Sequence, residues 1–277
     1  MNLCESVFIP RGDGKSVHVD LMIPTVSSEF DPDIMRTTIV IIPGGGYRFI
    51  CEREAEPVAL YFAAHGFNTA VVRYSVSPSL YPEALLDVGA VINYIRQNSN
   101  RFHSHKDHIV VMGFSAGGHI AACMSSLWKD ENLWSRIGLA PENVRPNAAV
   151  LCYPVITGGQ FAHRDSFVAL TGSEDTALHE SLSAEKSVNE DTAPTFIWAT
   201  WTDQAVPAIN SVLYAEALYK NGVKAELHLY PVGLHGLSLS RDFTCYVKQP
   251  EKAVAECENW PALAMSFVKR LFTVEEK

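Results

Sequence analysis

Short β-branched runs alternate with helical patterns along most of this chain, and that alternation restricts its fold more than any other feature. Runs typical of strands lie at residues 17–24, 37–43, 68–74, 109–113, 148–153, 195–200 and 225–230. Helical periodicity is found at residues 54–65, 83–96, 116–128, 207–220 and 261–271. Strands that alternate with helices favour a parallel sheet covered on both faces. The first two or three strands have no helix between them, so we expect an antiparallel edge there.

Length and composition favour one α/β domain over residues 1–277, with 47% apolar residues to build its core. The net charge of −9 argues against nucleic-acid binding, which needs a basic face. No apolar run reaches the 18 or more residues of a membrane span, and the first residues do not resemble a signal peptide. The six cysteines form no Cys-x-x-Cys pair and are interpreted as reduced thiols, with Cys123 and Cys152 in the core. A cytoplasmic protein is expected.

Residues 155–193 interrupt the alternation. They carry no strong periodicity and separate two strands by nearly forty residues. Long irregular insertions in compact domains are commonly lids or binding loops. We therefore expect this insertion to form a small cap over a pocket.

The most informative motif is Gly-x-Ser-x-Gly at residues 113–117, placed where a strand ends and a helix begins. A nucleophilic serine needs that context, because it sits on a sharp, strained turn that exposes its hydroxyl. Gly113 and Gly117 leave room for such a turn around Ser115. The alternative is a glycine-rich turn with an incidental serine.

Three glycines, Gly44, Gly45 and Gly46, follow the buried strand at residues 37–43. Glycines after a strand let backbone N–H groups face a cavity without obstruction. In serine hydrolases of this order, such a loop completes the oxyanion hole with the N–H that follows the nucleophile. A dinucleotide loop is the competing interpretation, but the Gly-x-Gly-x-x-Gly spacing is not met.

An acid and a histidine should follow the serine in chain order. Asp203 lies at the end of the strand at residues 195–200, and His235 lies in a glycine-flanked loop after the strand at 225–230. Ligands of open α/β sheets bind at such strand ends. A helix-capping role is the alternative for Asp203, and Glu174 and Asp175 are rival acids inside the insertion.

With these motifs, the chain resembles esterases of the α/β-hydrolase superfamily. It is similar to the group with the hormone-sensitive-lipase-like and acetyl-xylan-esterase-like enzymes. The resemblance covers residues 37 to about 260. It rests on Pro-Gly-Gly-Gly-Tyr at 43–47, Arg53-Glu54, Gly-Phe-Ser-Ala-Gly-Gly-His at 113–119, Asp203 before Val206-Pro207, and His235-Gly-Leu. Two departures from the lipase-like branch argue against a true lipase, and the first is found in bacterial esterases similar to acetyl-xylan and sugar esterases. Proline replaces the histidine of His-Gly-Gly-Gly, and no helical N-terminal cap is indicated.

The resemblance implies the α/β-hydrolase fold, with a mostly parallel sheet of about eight strands, helices on both faces and a small insertion after the sixth strand. It also implies that Gly45, Gly46 and Ala116 supply the oxyanion N–H donors. The chemistry of the residues assigns Ser115 as nucleophile, His235 as base and Asp203 as the group that orients the histidine. Tyr47 is expected to contact substrate, with Trp198, Trp201 and Phe161 as further candidates, although Trp198 fits the core equally well. No metal or organic cofactor is expected.

A zinc site is a weaker hypothesis. His103, His105, Asp107 and His108 have the spacing of dinuclear zinc hydrolases. They follow a helix and enter a strand, however, so we expect a polar connector at the end of the sheet opposite Ser115.

The sequence therefore predicts a serine carboxylic ester hydrolase that acts on small, short-acyl esters. Acetylated sugars or xylo-oligosaccharides are the substrates that the resemblance favours. A serine peptidase or amide hydrolase on the same fold, and a non-catalytic binding protein, are the alternatives. The expected partner is a small-molecule ester, with no nucleic acid and no membrane, and a homodimer is left open.

Overall fold

An eight-stranded sheet forms the centre of the computed structural model, which describes residues 4–26, 29, 31–245 and 254–275. The order across the sheet is β1-β2-β4-β3-β5-β6-β7-β8. In chain order these strands are β1 Cys4–Pro10, β2 Ser16–Met22, β3 Arg36–Ile42, β4 Asn68–Arg73, β5 Ser104–Phe114, β6 Ala148–Cys152, β7 Thr195–Thr200 and β8 Ala225–Tyr230.

Helices follow most of the strands, as the periodicity predicts. Within the described ranges they are α1 Glu56–Ala64, α2 Glu83–Gln97, α3 Ser99–Phe102, α4 Ala116–Leu127, α5 Glu131–Trp134, α6 Pro141–Val144, α7 Arg164–Thr171, α8 Thr176–Ser181, α9 Ile209–Lys220 and α10 Trp260–Glu275. The helix predicted at 54–65 begins with a 3₁₀ turn, Glu52–Glu54, before α1.

The strands from β3 to β8 pair in parallel, while β1 pairs with β2 and β2 with β4 in antiparallel fashion. The predicted antiparallel edge is therefore correct for β2, the first of the predicted strands. It is wrong for β3, which lies inside the sheet between β4 and β5. The strand β1 was missed, because an edge strand with mostly exposed residues has no long apolar run.

Alternating residues of the central strands supply two cores, one on each face of the sheet. On β3, Val40 and Ile42 pack toward α2 and α4, while Ile39 and Ile41 pack toward α1 and α10. This alternation follows from the two-residue period of a strand. The result is a rigid sheet whose carboxyl-terminal ends carry the loops described below.

The insertion is more regular than the sequence indicates. It contains α7, α8 and a 3₁₀ turn, Ala184–Ser187. Phe167 and Leu170 of α7 are 1% and 5% exposed, so this segment packs into the core. The expectation of an irregular segment is wrong, because its helices are too short to give a clear period. Only its first part, near His163 and Asp165, reaches the cleft at the strand ends.

Cys123 and Cys152 lie in the core as expected, at 5% and 0% exposure. Among the helices of the described ranges, none combines the length and apolarity needed to cross a bilayer.

Candidate active site

Ser115 sits on a strained turn between β5 and α4. Its backbone has φ 52° and ψ −116°, a conformation that residues with a Cβ rarely adopt. A Cβ on Gly113 would lie 2.2 Å from the Gly117 carbonyl oxygen, and one on Gly117 would lie 2.0 Å from that of Ile42. Both glycines of the motif are thus required by close backbone contacts, as the sequence predicts.

The structure brings Ser115, His235 and Asp203 together. The Ser115 Oγ lies 2.7 Å from His235 Nε2, and His235 Nδ1 lies 2.6 Å from Asp203 Oδ2. The side chain of Asp203 is fully buried, while that of His235 is 22% exposed. Because a carboxylate only accepts, the Nδ1 proton faces Asp203 and the Nε2 lone pair faces the serine hydroxyl.

Asp203 also caps the turn that follows it. Its Oδ1 accepts hydrogen bonds from the Ala205 and Val206 amides at 2.9 and 3.0 Å. The capping role considered from sequence and the contact with His235 are therefore both present, one at each carboxylate oxygen. The rival Asp175 caps α8 through the Ala177 amide, on the exposed surface of the insertion.

The glycine loop lies beside the serine because β3 and β5 are neighbours, with Ile42 opposite Gly113. Gly45 and Gly46 have φ values of 126° and 61°, in the region that favours glycine. Within the part of the chain that the structure describes, no protein acceptor binds their amide hydrogens. Ala116 is the first residue of α4, where an amide has no partner inside its own helix.

A cleft of about 250 Å³ opens over these groups. Its lining includes the oxyanion glycines, the serine and the histidine, together with a polar rim from Arg48, Arg53, His163 and Asp165. Burial, reinforced by nearby His235, lowers the pKa of His163. A larger groove of about 700 Å³ lies at the amino-terminal ends of β6, β7 and β8 and contains none of the residues assigned above.

Several of the predicted aromatic contacts lie elsewhere. Tyr47 is 3% exposed, and its hydroxyl lies 2.7 Å from His119 Nδ1 in a buried cluster. The structure thus corrects the expectation that Tyr47 contacts substrate, because its side chain turns into the core. Trp198 is a fully buried core residue, and Trp201 is 69% exposed. Phe161 is 40% exposed and lies outside the residues that line the cleft.

The burial of His119 has a consequence for stability in acid. Burial lowers the pKa of His119 from 6.5 to about 4, against the opposing effect of its hydrogen bond to the Leu182 carbonyl. Between these values the unfolded chain binds a proton that the folded chain excludes, so the free energy of unfolding falls as pH falls. We expect this group to cost roughly 3 kcal/mol between about pH 6.5 and 4. Denaturant titrations of wild type and His119→Asn across this range measure the difference.

His228→Asn is the control, because it also removes an imidazole, but from a half-exposed position. A His119→Asn protein whose stability falls with acid as steeply as that of the wild type would contradict this prediction.

The histidines of the zinc hypothesis lie at the other end of the sheet. His105 and His108 belong to the first half of β5, whereas Ser115 follows its last residue. The ring of His108 stacks on Phe272 of α10, with centroids 4.2 Å apart. Among the described residues, no group of three or more His, Cys, Asp or Glu side chains is placed to hold a metal.

Sequence reasoning missed Glu54 and Tyr153 as members of this site. Glu54 accepts from the Gly44 amide at 2.8 Å and from the Tyr153 hydroxyl at 2.7 Å. In the sequence, only the family resemblance singles out the Arg53-Glu54 pair. A buried carboxylate leaves no signature in sequence, so the structure was needed to find it.

This sheet, with a serine turn after β5, an acid after β7 and a histidine after β8, is the α/β-hydrolase fold. The chain belongs to the BD-FAE family, whose model matches residues 20–218.

Solved structures agree with this assignment. The chain is similar to the carboxylesterase Cest-2923 from Lactobacillus plantarum WCFS1, with 28% identity, a TM-score of 0.86 and 98% coverage of both chains. It is also similar to an acetyl ester-xyloside bifunctional hydrolase from Caldicellulosiruptor lactoaceticus, with 37% identity and a TM-score of 0.74. That match covers 91% of this chain and 89% of the other.

A curated relative is the acetylxylan esterase from Xylanibacter ruminicola, 27% identical over 229 residues, or 80% of this chain. The match covers 44% of that protein, so this chain spans less than half of its length.

Proposed function

We propose that this chain is a serine esterase that hydrolyses small esters through an acyl-enzyme. The observation that carries the proposal is the continuous contact from Ser115 Oγ through His235 to Asp203 at 2.7 and 2.6 Å. The Gly45 and Gly46 amides, which bind no protein acceptor among the described residues, and the Ala116 amide at the start of α4 support this proposal as donors to an oxyanion.

In this mechanism, Ser115 Oγ bonds to the ester carbonyl carbon while His235 Nε2 takes the hydroxyl proton. The Gly45, Gly46 and Ala116 amides stabilise the negative oxygen that forms. The bond to the alcohol then breaks, and His235 returns the proton to the leaving oxygen. Water, deprotonated by His235, attacks the acyl-enzyme and releases the carboxylic acid together with free Ser115. Asp203 holds the imidazole in the tautomer that each step requires.

The dimensions of the cleft support a short acyl group. Ligand pockets for drug-sized molecules commonly start near 300 Å³, and this cleft of about 250 Å³ is smaller. Its polar rim, which includes Arg48, Arg53, His163 and Asp165, suits an alcohol rich in hydroxyls. We infer an acetylated sugar as the substrate class, in line with the names of the relatives described above.

The direct test is a substrate panel of p-nitrophenyl acetate, butyrate and octanoate with an aminoacyl anilide. We expect the acetyl and butyryl esters to react fastest, because a small cleft excludes the longer chain. A serine-directed phosphonate should abolish turnover and add its mass to the peptide that contains Ser115.

A parallel sample treated with EDTA is the control for the zinc hypothesis. It should keep its full activity if His103, His105 and His108 have only structural roles at the start of β5. Activity lost with EDTA and restored by zinc would contradict the serine mechanism, and preference for the anilide would favour an amide hydrolase.

A further inference from the structure

A buried carboxylate joins two loops of the proposed active site. Glu54 is 2% exposed and takes no part in the bond-making steps above. Its Oε2 accepts a hydrogen bond from the Gly44 amide at 2.8 Å, and its Oε1 accepts one from the Tyr153 hydroxyl at 2.7 Å. The Tyr153 oxygen accepts in turn from the Ser238 amide at 2.9 Å. We call this chain of three hydrogen bonds the Glu54 bridge.

The ends of the Glu54 bridge lie next to the groups that would act on the substrate. Gly44 immediately precedes Gly45 and Gly46, and Ser238 lies three residues after His235. The Tyr153 ring also contacts the His235 imidazole edge to face, with centroids 5.1 Å apart. The bridge therefore connects the loop after β3 to the loop after β8.

These two loops are not held together by the sheet. Three strands, β5, β6 and β7, lie between β3 and β8, so no strand pairing fixes the distance between the oxyanion amides and the imidazole. Arg53 adds to the connection, since its guanidinium donates to the Gly236 and Thr244 carbonyls at 2.8 and 3.0 Å. Residues 53 and 54 thus bind the histidine loop and the glycine loop from one short segment.

The chemistry of the bridge requires a carboxylate. Both groups that contact Glu54 are donors, so both of its oxygens must accept, which a glutamine side chain cannot do. The fit is also tight, because a Cβ on Gly44 would lie 2.7 Å from Oε2. A buried donor left without an acceptor is costly, so the glycine loop should shift when Glu54 is replaced.

We propose that Glu54 is a positioning residue. Through Tyr153, it fixes the distance between the oxyanion amides and the His235 imidazole. This inference rests on the proposed function. It predicts that loss of the bridge weakens binding of the transition state more than binding of the substrate, because oxyanion contacts form fully only in the transition state.

The test compares Glu54→Gln, Tyr153→Phe and the double variant with p-nitrophenyl acetate and with a boronic acid that mimics the tetrahedral intermediate. Removing one oxyanion donor costs about 10²–10³ in kcat, so we expect Glu54→Gln to lower kcat about 100-fold with KM changed less than threefold. Affinity for the boronic acid should fall in parallel. Tyr153→Phe removes the hydrogen bonds of the tyrosine hydroxyl but leaves the one between Glu54 and Gly44, so it should lower kcat about tenfold. The double variant should lose little more kcat than Glu54→Gln, because both residues belong to the same chain of hydrogen bonds.

Asp87→Asn is the matched control. Asp87 is another carboxylate at 2% exposure that accepts a backbone amide, from Ser75 at 2.7 Å, and a side-chain donor, Arg11, at 2.6 Å. It does not line the cleft. We expect this variant to be less stable than wild type while kcat stays within threefold.

Glu54→Gln and Tyr153→Phe proteins with kcat and boronic acid affinity within threefold of wild type would overturn the inference. If Glu54→Gln does not fold, Tyr153→Phe decides alone, since it removes one oxygen atom. Full activity of Ser115→Ala would instead refute the proposed function. An inactive Ser115→Ala beside unaffected bridge variants would refute only the positioning role of Glu54.

Discussion

Replacing Ser115 with alanine is expected to remove nearly all ester hydrolysis from a chain that stays folded. Without the hydroxyl no acyl-enzyme can form, and losing the nucleophile of such a triad costs about 10⁶ in kcat. The oxyanion amides and the cleft remain, so only a small residual rate over water should survive. Hydrolysis of p-nitrophenyl acetate and circular dichroism, measured on the same preparation, check this result.

Ser125→Ala is the matched control for Ser115→Ala, because Ser125 is a fully buried serine of α4, the helix that follows Ser115, and its hydroxyl donates to the Ala121 carbonyl. It should keep wild-type turnover. A folded Ser115→Ala protein with more than a tenth of wild-type activity would exclude Ser115 as the nucleophile.

Asp203→Asn is expected to lower kcat about 10⁴-fold, as loss of the orienting acid does in serine proteases. The hydrogen bonds dictate why. The oxygen that accepts from the Ala205 and Val206 amides must stay an acceptor, so the new NH₂ group would face His235 Nδ1. The imidazole proton would then move to Nε2, which could no longer accept the proton of Ser115. Saturation kinetics with p-nitrophenyl acetate measure the loss of kcat.

Asp175→Asn separates this effect from simple loss of a cap. The Asp175 carboxylate accepts from the Ala177 amide and does not line the cleft, so its substitution should leave kcat unchanged. Equal losses in the two variants would mean that capping, rather than orientation of His235, explains the role of Asp203.

The features that could be predicted from the sequence depend on residues that lie close together in the chain. The serine turn depends on residues 113–117, and the chain order of Asp203 and His235 follows from strand ends that the periodicity locates. What could not be predicted depends on contacts between distant segments. The place of β3 inside the sheet is set by pairing with β4 and β5, and the burial of Tyr47 is set by His119, 72 residues away. Glu54 and Tyr153 are 99 residues apart, and neither lies in a motif that reports their contact.

The position of β8 also bears on how such an enzyme loses activity. β8 forms one of the two edges of the sheet, where it pairs only with β7 among the described strands, and half of its residues are exposed. The loop that follows it carries His235. Strands of this kind detach in local openings that cost less than global unfolding. Detachment of β8 would free one end of the loop that carries His235 while seven strands stay paired, so we expect activity at elevated temperature to fall before the sheet unfolds.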